Sequence, residues 1–292
     1  MNGVFSSTVI VGLGFLLAAL SSNAEQEQPE YHVLDNGNLV YLQTTEGLVV
    51  IEVNRTFAPK HAQRFKDLVK SGFYDGLDFY RVIDGFVAQG GDETGEKVSS
   101  FKSPLPAEFT LPVSSTTVAF DVVQSPEFLA EQTGFVDGFP AGRSLSDKQQ
   151  WLLHCPGAVA MARGLEADSA TTDFYIVVGQ APRHLDRNMS VFGQVVYGMA
   201  NVQSIIRGNA SVSGGVIDTE AERTTIITAS LGSDLPSEER LSFERLSYAS
   251  EAFQSRLKSA RTLDNAFFHY KGTGNLDVCY YRPTTRVQTD EE

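Results

Sequence analysis

The run Phe79 to Asp92, FYRVIDGFVAQGGD, constrains this chain more than any other. FYRVI has the β-branched and aromatic composition of a strand, and Asp84-Gly85 is a turn signal. FVAQ resumes an extended pattern, which Gly90-Gly91 ends. A hairpin of this kind places Arg81, Phe86 and Gln89 on one patch of a curved sheet. Composition alone favours a plainer reading, a solvated Arg and a structural Phe beside a glycine turn. The rest of the chain has to decide between the two.

The run resembles the signature of the cyclophilin-type peptidyl-prolyl isomerases. That signature is Phe, His or similar, Arg, two aliphatics, two variable positions, Phe, Met or similar, one variable position, then Gln-Gly-Gly-Asp. Arg81, Phe86, Gln89, Gly90, Gly91 and Asp92 match it, with Tyr80 at the His position and Val87 at the Met position. A second block, GAVAMARGLEADSATTDFYIVVG (157–179), resembles the family's Gly-x-x-x-Met-Ala-Asn followed by Ser-Gln-Phe-Phe-Ile. Ala162 matches there, while Arg163 replaces Asn, Asp173 replaces Gln and Tyr175 replaces the second Phe. A third block, PRHLDRNMSVFGQVV (182–196), places His184 where Trp is frequent, and Leu185 and Asp186 match. Met189 falls where the best-known members carry an active-site His.

The resemblance covers about residues 38–231. It implies a mainly β fold, an eight-stranded antiparallel barrel capped by helices. Side chains fill a barrel of this size, so the site is expected on its outer wall. Leu39–Gln43 and Leu48–Val53 read as a hairpin. Pro59 opens a helix with Ala62, Phe65, Leu68 and Val69 at helical spacing, ended by Gly72. Residues 110–156 form an insert that compact relatives lack, with a strand expected at Thr117–Val123. It reads either as a substrate lip or as a surface excursion packed by its own Phe and Trp. Residues 232–292 read as an extension docked on the barrel, a helix over Ser237–Leu263 and a hairpin of Phe267–Tyr270 with Leu276–Tyr281. The polar end, Gln288–Glu292, is expected to be disordered.

Composition narrows the partners. The formal net charge is -13, from 36 acidic and 23 basic residues, and no basic block occurs. That argues against nucleic acid or an anionic membrane surface. Residues 1–24 carry no charged side chain and include the apolar run TVIVGLGFLLAAL, followed by small residues up to Ala24. This reads as a secretory signal peptide cut after Ala24, with residues 25–37 as an N-terminal segment of the mature chain. A periplasmic or secreted protein without stable membrane insertion is the expectation; an uncleaved anchor is the alternative. An oxidising compartment would let Cys155 and Cys279 pair, and two separately buried thiols are the other reading. The five His residues are scattered without metal spacing, so neither a metal nor another cofactor is expected.

The resemblance implies that Arg81 and Gln89 are catalytic. Phe86, Val87, Ala162, Arg163, Asp173, Tyr175, His184, Leu185 and Met189 would bind the substrate. The partners would be proline-containing peptides and unfolded protein clients. Asp173 adds negative charge near Arg81, and Tyr175 brings a hydroxyl where an apolar ring is usual. Two functions follow: an isomerase assisting exported proteins, or a peptide-binding chaperone module with weakened catalysis. A structural subunit that uses the insert and extension as contacts is a third.

Overall fold

The computed structural model describes residues 31–115, 119–180 and 182–288. The expected signal peptide and residues 289–292 lie outside the described residues. A short strand, β1 (Tyr31–Val33), precedes the hairpin of β2 (Leu39–Thr44) and β3 (Gly47–Val53). Helix α1 (Pro59–Lys70) leads to the signature hairpin, β4 (Asp78–Val82) and β5 (Val87–Gly91). The insert supplies β6 (Leu111–Pro112), β7 (Asp121–Gln124), β8 (Gln132–Val136), β9 (Phe139–Ser144) and β10 (Gln149–Leu152). Then come β11 (Ala158–Met161), β12 (Phe174–Val177), β13 (Val191–Tyr197), α2 (Met199–Ser204), α3 (Ala210–Ser213) and β14 (Ile226–Leu231). The C-terminal part adds β15 (Phe243–Leu246), α4 (Glu251–Thr262) and β16 (Thr285–Val287).

Eight strands form one sheet in the order β14-β2-β3-β13-β11-β12-β5-β4. Its two edges meet: Phe79 N–H donates to Thr224 O at 3.0 Å and Ile226 N–H to Leu77 O at 2.7 Å. The sheet is thus the expected antiparallel barrel, nearly closed. Helix α1 plugs one end, burying Ala62, Phe65, Leu68 and Val69. The Phe65 ring lies 4.9 Å from that of Phe192 and 5.2 Å from that of Phe174. Ala58 offers α1 no capping side chain. Glu108 serves instead, accepting the Lys60 and His61 N–H groups at 3.0 and 3.1 Å. Burial pushes the Glu108 carboxyl up, but these bonds and His61 Nδ1 at 2.7 Å hold it below its ordinary value.

Strand periodicity explains what covers the barrel. Along β12, Phe174 and Ile176 join the interior with Val159, Met161 and Phe192. Tyr175 and Val177, on the opposite face, join Val87, Ala158 and Ala160. That outer face is covered by the insert, through Val136, Phe139, Ala141 and Leu152. The insert is a five-stranded sheet, ordered β6-β10-β9-β8-β7, with its Phe135 and Trp151 buried in a core. The strand expected at Thr117–Val123 lies at Asp121–Gln124, and residues 116–118 lie outside the described residues.

The C-terminal part differs from expectation in three places. The helix read over Ser237–Leu263 is broken: Ser237–Glu239 is a single 3-10 turn, β15 follows, and α4 starts only after Ser250. Pairing of β15 between β1 and β16 overrides the helical spacing and seats Phe243 against Leu39, Tyr41 and Val50 on the barrel's outer wall. The hairpin expected around residues 267–281 does not form. Asp277 accepts the Cys279 N–H at 2.9 Å and bends the chain into a turn, and Phe267 and Tyr270 remain exposed. Gln288, assigned to the disordered tail, donates its N–H to Ser242 O at 2.7 Å.

Of the two readings left open for the cysteines, the structure has the pair: Cys155 and Cys279 form a disulfide. It ties the end of the insert to the C-terminal part. Val123, Phe135, Trp151 and Leu153 of the insert pack there with Leu246, Phe253, Leu257 and Val278 in one shared core.

Candidate active site

The turn between β4 and β5 contains Gly85 at φ 69°, a conformation that suits glycine. The pairing that follows sets Arg81 opposite Gln89. Arg81 Nη1 donates to Gln89 Oε1 at 3.2 Å, and its Nε donates to the Gly214 carbonyl at 3.0 Å. Nη2 has no partner among the described residues. Gln89 in turn donates from Nε2 to Tyr80 Oη at 2.5 Å, and Tyr80 Oη donates to Asp173 Oδ2 at 2.8 Å. The other Asp173 oxygen accepts the Asp92 N–H at 3.0 Å and Thr172 Oγ1 at 3.1 Å. A hydrogen-bonded chain, Arg81–Gln89–Tyr80–Asp173, thus runs behind the guanidinium.

The electrostatics follow from burial. Burial raises the Asp173 carboxyl above its ordinary value, opposed by the Tyr80 hydroxyl and the Asp92 N–H. Burial and then Asp173 push the Tyr80 phenol well up, so it stays a donor. The Asp173 oxygens are engaged by Tyr80, Asp92 and Thr172, so the hydrogen-bonded link from Asp173 to Arg81 runs through Tyr80 and Gln89. Asp173 also fixes the neighbouring glycine: a Cβ on Gly91 would lie 2.4 Å from Asp173 Oδ1.

Beside this hairpin, β12 pairs with β5, placing Tyr175 opposite Gln89 and Val177 opposite Val87. Val87 and Tyr175 are buried, and Phe86, Ala162, Leu185 and Met189 pack half-buried against the same cluster. The Phe86 ring stacks on His184, centroids 6.0 Å apart and planes within 4°. The Tyr175 hydroxyl turns away from this surface. It meets His154 Nε2 at 2.9 Å, and His154 Nδ1 meets Asp186 Oδ1 at 2.9 Å. With Asp186 accepting from Nδ1–H and from Arg183 Nε at 2.5 Å, Nε2 is the acceptor for the phenol. Burial and then Asp186 push the Tyr175 phenol well up, so it remains neutral. Arg163 donates from Nε and Nη2 to Asn188 O at 3.1 and 3.0 Å, holding the loop that carries Met189.

The hairpin, β11, β12 and the segment that begins with the 3-10 turn at 182–185 thus bring together Arg81, Gln89, Phe86, Val87, Ala162, Tyr175, His184, Leu185 and Met189. Asp173 joins from behind, and the Arg163 side chain is committed to the 188 loop. Sequence reading missed two members. Tyr80 links Gln89 to Asp173, and His154 anchors Tyr175. The signal for His154 was a lone polar side chain inside the apolar run WLLHC, and a buried tyrosine needing a partner.

Among known proteins, the model of the family "Cyclophilin type peptidyl-prolyl cis-trans isomerase/CLD" matches residues 39–230. A "Probable peptidyl-prolyl cis-trans isomerase" of Brucella abortus is 31% identical over 183 residues, 62% of this chain and 78% of that protein. A peptidyl-prolyl cis-trans isomerase of Acinetobacter baylyi is 29% identical over 188 residues, covering 63% of this chain and 79% of its own. The crystal structure of cyclophilin AquaCyp293 from Hirschia baltica superposes with a TM-score of 0.68 at 25% identity, over 90% of this chain and 95% of that one. That overlap reaches beyond the family match and takes in part of what surrounds the barrel. The barrel, the signature hairpin and a family match over more than half of its length establish that the chain belongs to the cyclophilin-type peptidyl-prolyl cis-trans isomerases.

Proposed function

We propose that Arg81 is the catalytic residue of this isomerase and that its clients are exported proteins whose folding waits on proline. An X-Pro bond has a rotation barrier of about 18–20 kcal/mol and a trans preference of only about 0.5–1 kcal/mol. As the amide twists it loses resonance, and its nitrogen gains a lone pair. A donor held at that nitrogen stabilises the twisted state more than either ground state. No nucleophile is needed. The observation that carries the reading is the Arg81 guanidinium, aimed by Gln89 and Gly214 O with Nη2 left over, next to an apolar surface.

In this reading the proline ring rests on Phe86, Val87, Leu185 and Met189 with the Tyr175 ring as backing. His184 lines the rim, Ala162 keeps one side low, and the Arg163 backbone holds the residue before proline. Removing one such donor lowers turnover about 10²–10³-fold. An exchange assay on an Ala-Pro peptide with Arg81→Ala should show that loss. Equal rates for the two proteins would remove Arg81 from catalysis, and rates equal to background in both, with binding retained, would favour a peptide-binding module. Export is supported by the signal-like residues 1–24 and by the Cys155–Cys279 pair, which suits an oxidising compartment. Cell fractionation with N-terminal sequencing checks it; a cytoplasmic chain that keeps residues 1–24 would overturn it.

A further inference from the structure

A cleft of about 440 Å³ lies between the barrel and the C-terminal part. One side is β13 at Gln194–Tyr197. The other is formed by Arg245 of β15, Arg256 of α4 and the chain from Arg282 to Thr285. It shares no residue with the Arg81 surface.

The three arginines are not equivalent. Arg245 is neutralised by the Glu52 carboxylate, and its other nitrogens donate to Asp137 O at 3.2 Å and Thr285 Oγ1 at 3.3 Å. Arg256 and Arg282 have no carboxylate partner among the described residues. Arg256 Nη1 donates to Arg282 O at 3.2 Å and to Thr284 Oγ1 at 3.4 Å. Arg282 Nη1 donates to Pro156 O at 3.0 Å. Nε and Nη2 of both remain without a partner among the described residues. Burial, and then the charge of Arg245, lowers the pKa of the Arg282 guanidinium, and no acidic group acts in the other direction. A partly desolvated cation without an anion is unfavourable; Arg282 is one, and the exposed Arg256 lines the same cavity, in a chain of net charge -13.

We propose that this cleft binds a small multivalent oxyanion, a phosphate or a polycarboxylate, held between Arg256 and Arg282. Guanidinium groups present paired donors that match the oxygens of either group. Two free forks supply the charge for two negative oxygens, and the Thr284 hydroxyl adds a polar contact. The bound anion touches both the barrel and the C-terminal part, so it fastens the second onto the first. Ligand binding of this kind raises the unfolding midpoint in proportion to the logarithm of ligand concentration.

The test uses the full chain in calorimetry and thermal unfolding with inorganic phosphate and with citrate, each against chloride at matched ionic strength. Saturable binding of at least one probe and a midpoint above the chloride control are expected, and the tighter probe identifies the oxyanion class. Arg256→Ala removes an exposed side chain and should weaken binding about tenfold. Arg256→Ala with Arg282→Met should abolish it, while both variants keep the wild-type isomerase rate. Should the double variant fail to fold, the exposed single substitution decides alone. Absence of saturable binding beyond chloride, or equal affinity in Arg256→Ala, overturns the proposal; unchanged isomerase rates keep that outcome separate from the role of Arg81.

Discussion

The two sides of the candidate pocket are built in different ways. The Arg81 side is local. Tyr80, Arg81 and Gln89 stand on one hairpin, and the distant help is a carbonyl at Gly214 and a carboxylate at Asp173. The Tyr175 side is assembled from afar. His154 comes from the end of the insert, Asp186 and Arg163 come from two other segments, and the disulfide lies one residue from His154. Damage to the hairpin should therefore appear in turnover, and damage to the insert in substrate binding.

The largest expected effect breaks the assembled side alone. Replacing both Cys155 and Cys279 by Ser opens a link between residues 124 apart in sequence. For a loop of that order chain entropy gives about 4–5 kcal/mol. Urea unfolding should show a loss of that size, and peptide KM should rise because His154 is adjacent. A loss below about 1 kcal/mol would mean that the core shared by insert and C-terminal part holds them together without the bond.

Smaller substitutions separate the sides more sharply. His154→Ala leaves the Tyr175 hydroxyl buried without a partner, while Asp186 keeps the residue 154 N–H and Arg183, at about 1–3 kcal/mol. Its steady-state signature should be a raised KM with kcat nearly unchanged. Gln89→Ala should do the reverse, lowering kcat about tenfold as Arg81 loses its orienting bond, with little change in KM. A fall in kcat for His154→Ala at constant KM would erase the distinction.

The same contrast decides what the sequence revealed. The hairpin was legible because its composition, its turn and its functional side chains are contiguous. Asp173 was read as a charge near Arg81, because sequence position does not tell which way a carboxylate turns; Tyr80 and the Asp92 N–H capture it. The Tyr175 hydroxyl was read as an intrusion into the pocket, since its partner lies in the insert. The insert was read with one strand where the structure has five, and glycine there packs as well as turns: a Cβ on Gly142 would lie 2.7 Å from the Trp151 ring. Around Phe243–Leu246 the apolar spacing suited a helix, and pairing with β1 and β16, far along the chain, made it a strand.

The smallest effect tests the bond that ties the assembled side together. Tyr175→Phe keeps the ring and removes the hydroxyl, leaving His154 Nε2 without its donor at about 1 kcal/mol. Its pH dependence carries more information than its size. Burial and the nearby Asp186 raise the Tyr175 phenol above the ordinary tyrosine value, near pH 10. As pH rises past that value the unfolded chain ionises while the folded chain stays neutral. The stability contributed by Tyr175 is therefore fully present below about pH 10 and is lost as pH climbs toward the folded value. Tyr74 and Tyr80 shift in the same direction and add to the decline of the wild type. Phenylalanine does not titrate, so the wild type should be the more stable protein at about pH 8, and its lead should shrink by about pH 11. Urea unfolding of both proteins at the two pH values measures this. A lead that does not change would mean that Tyr175 ionises as easily folded as unfolded, and that the His154 bond is open to water.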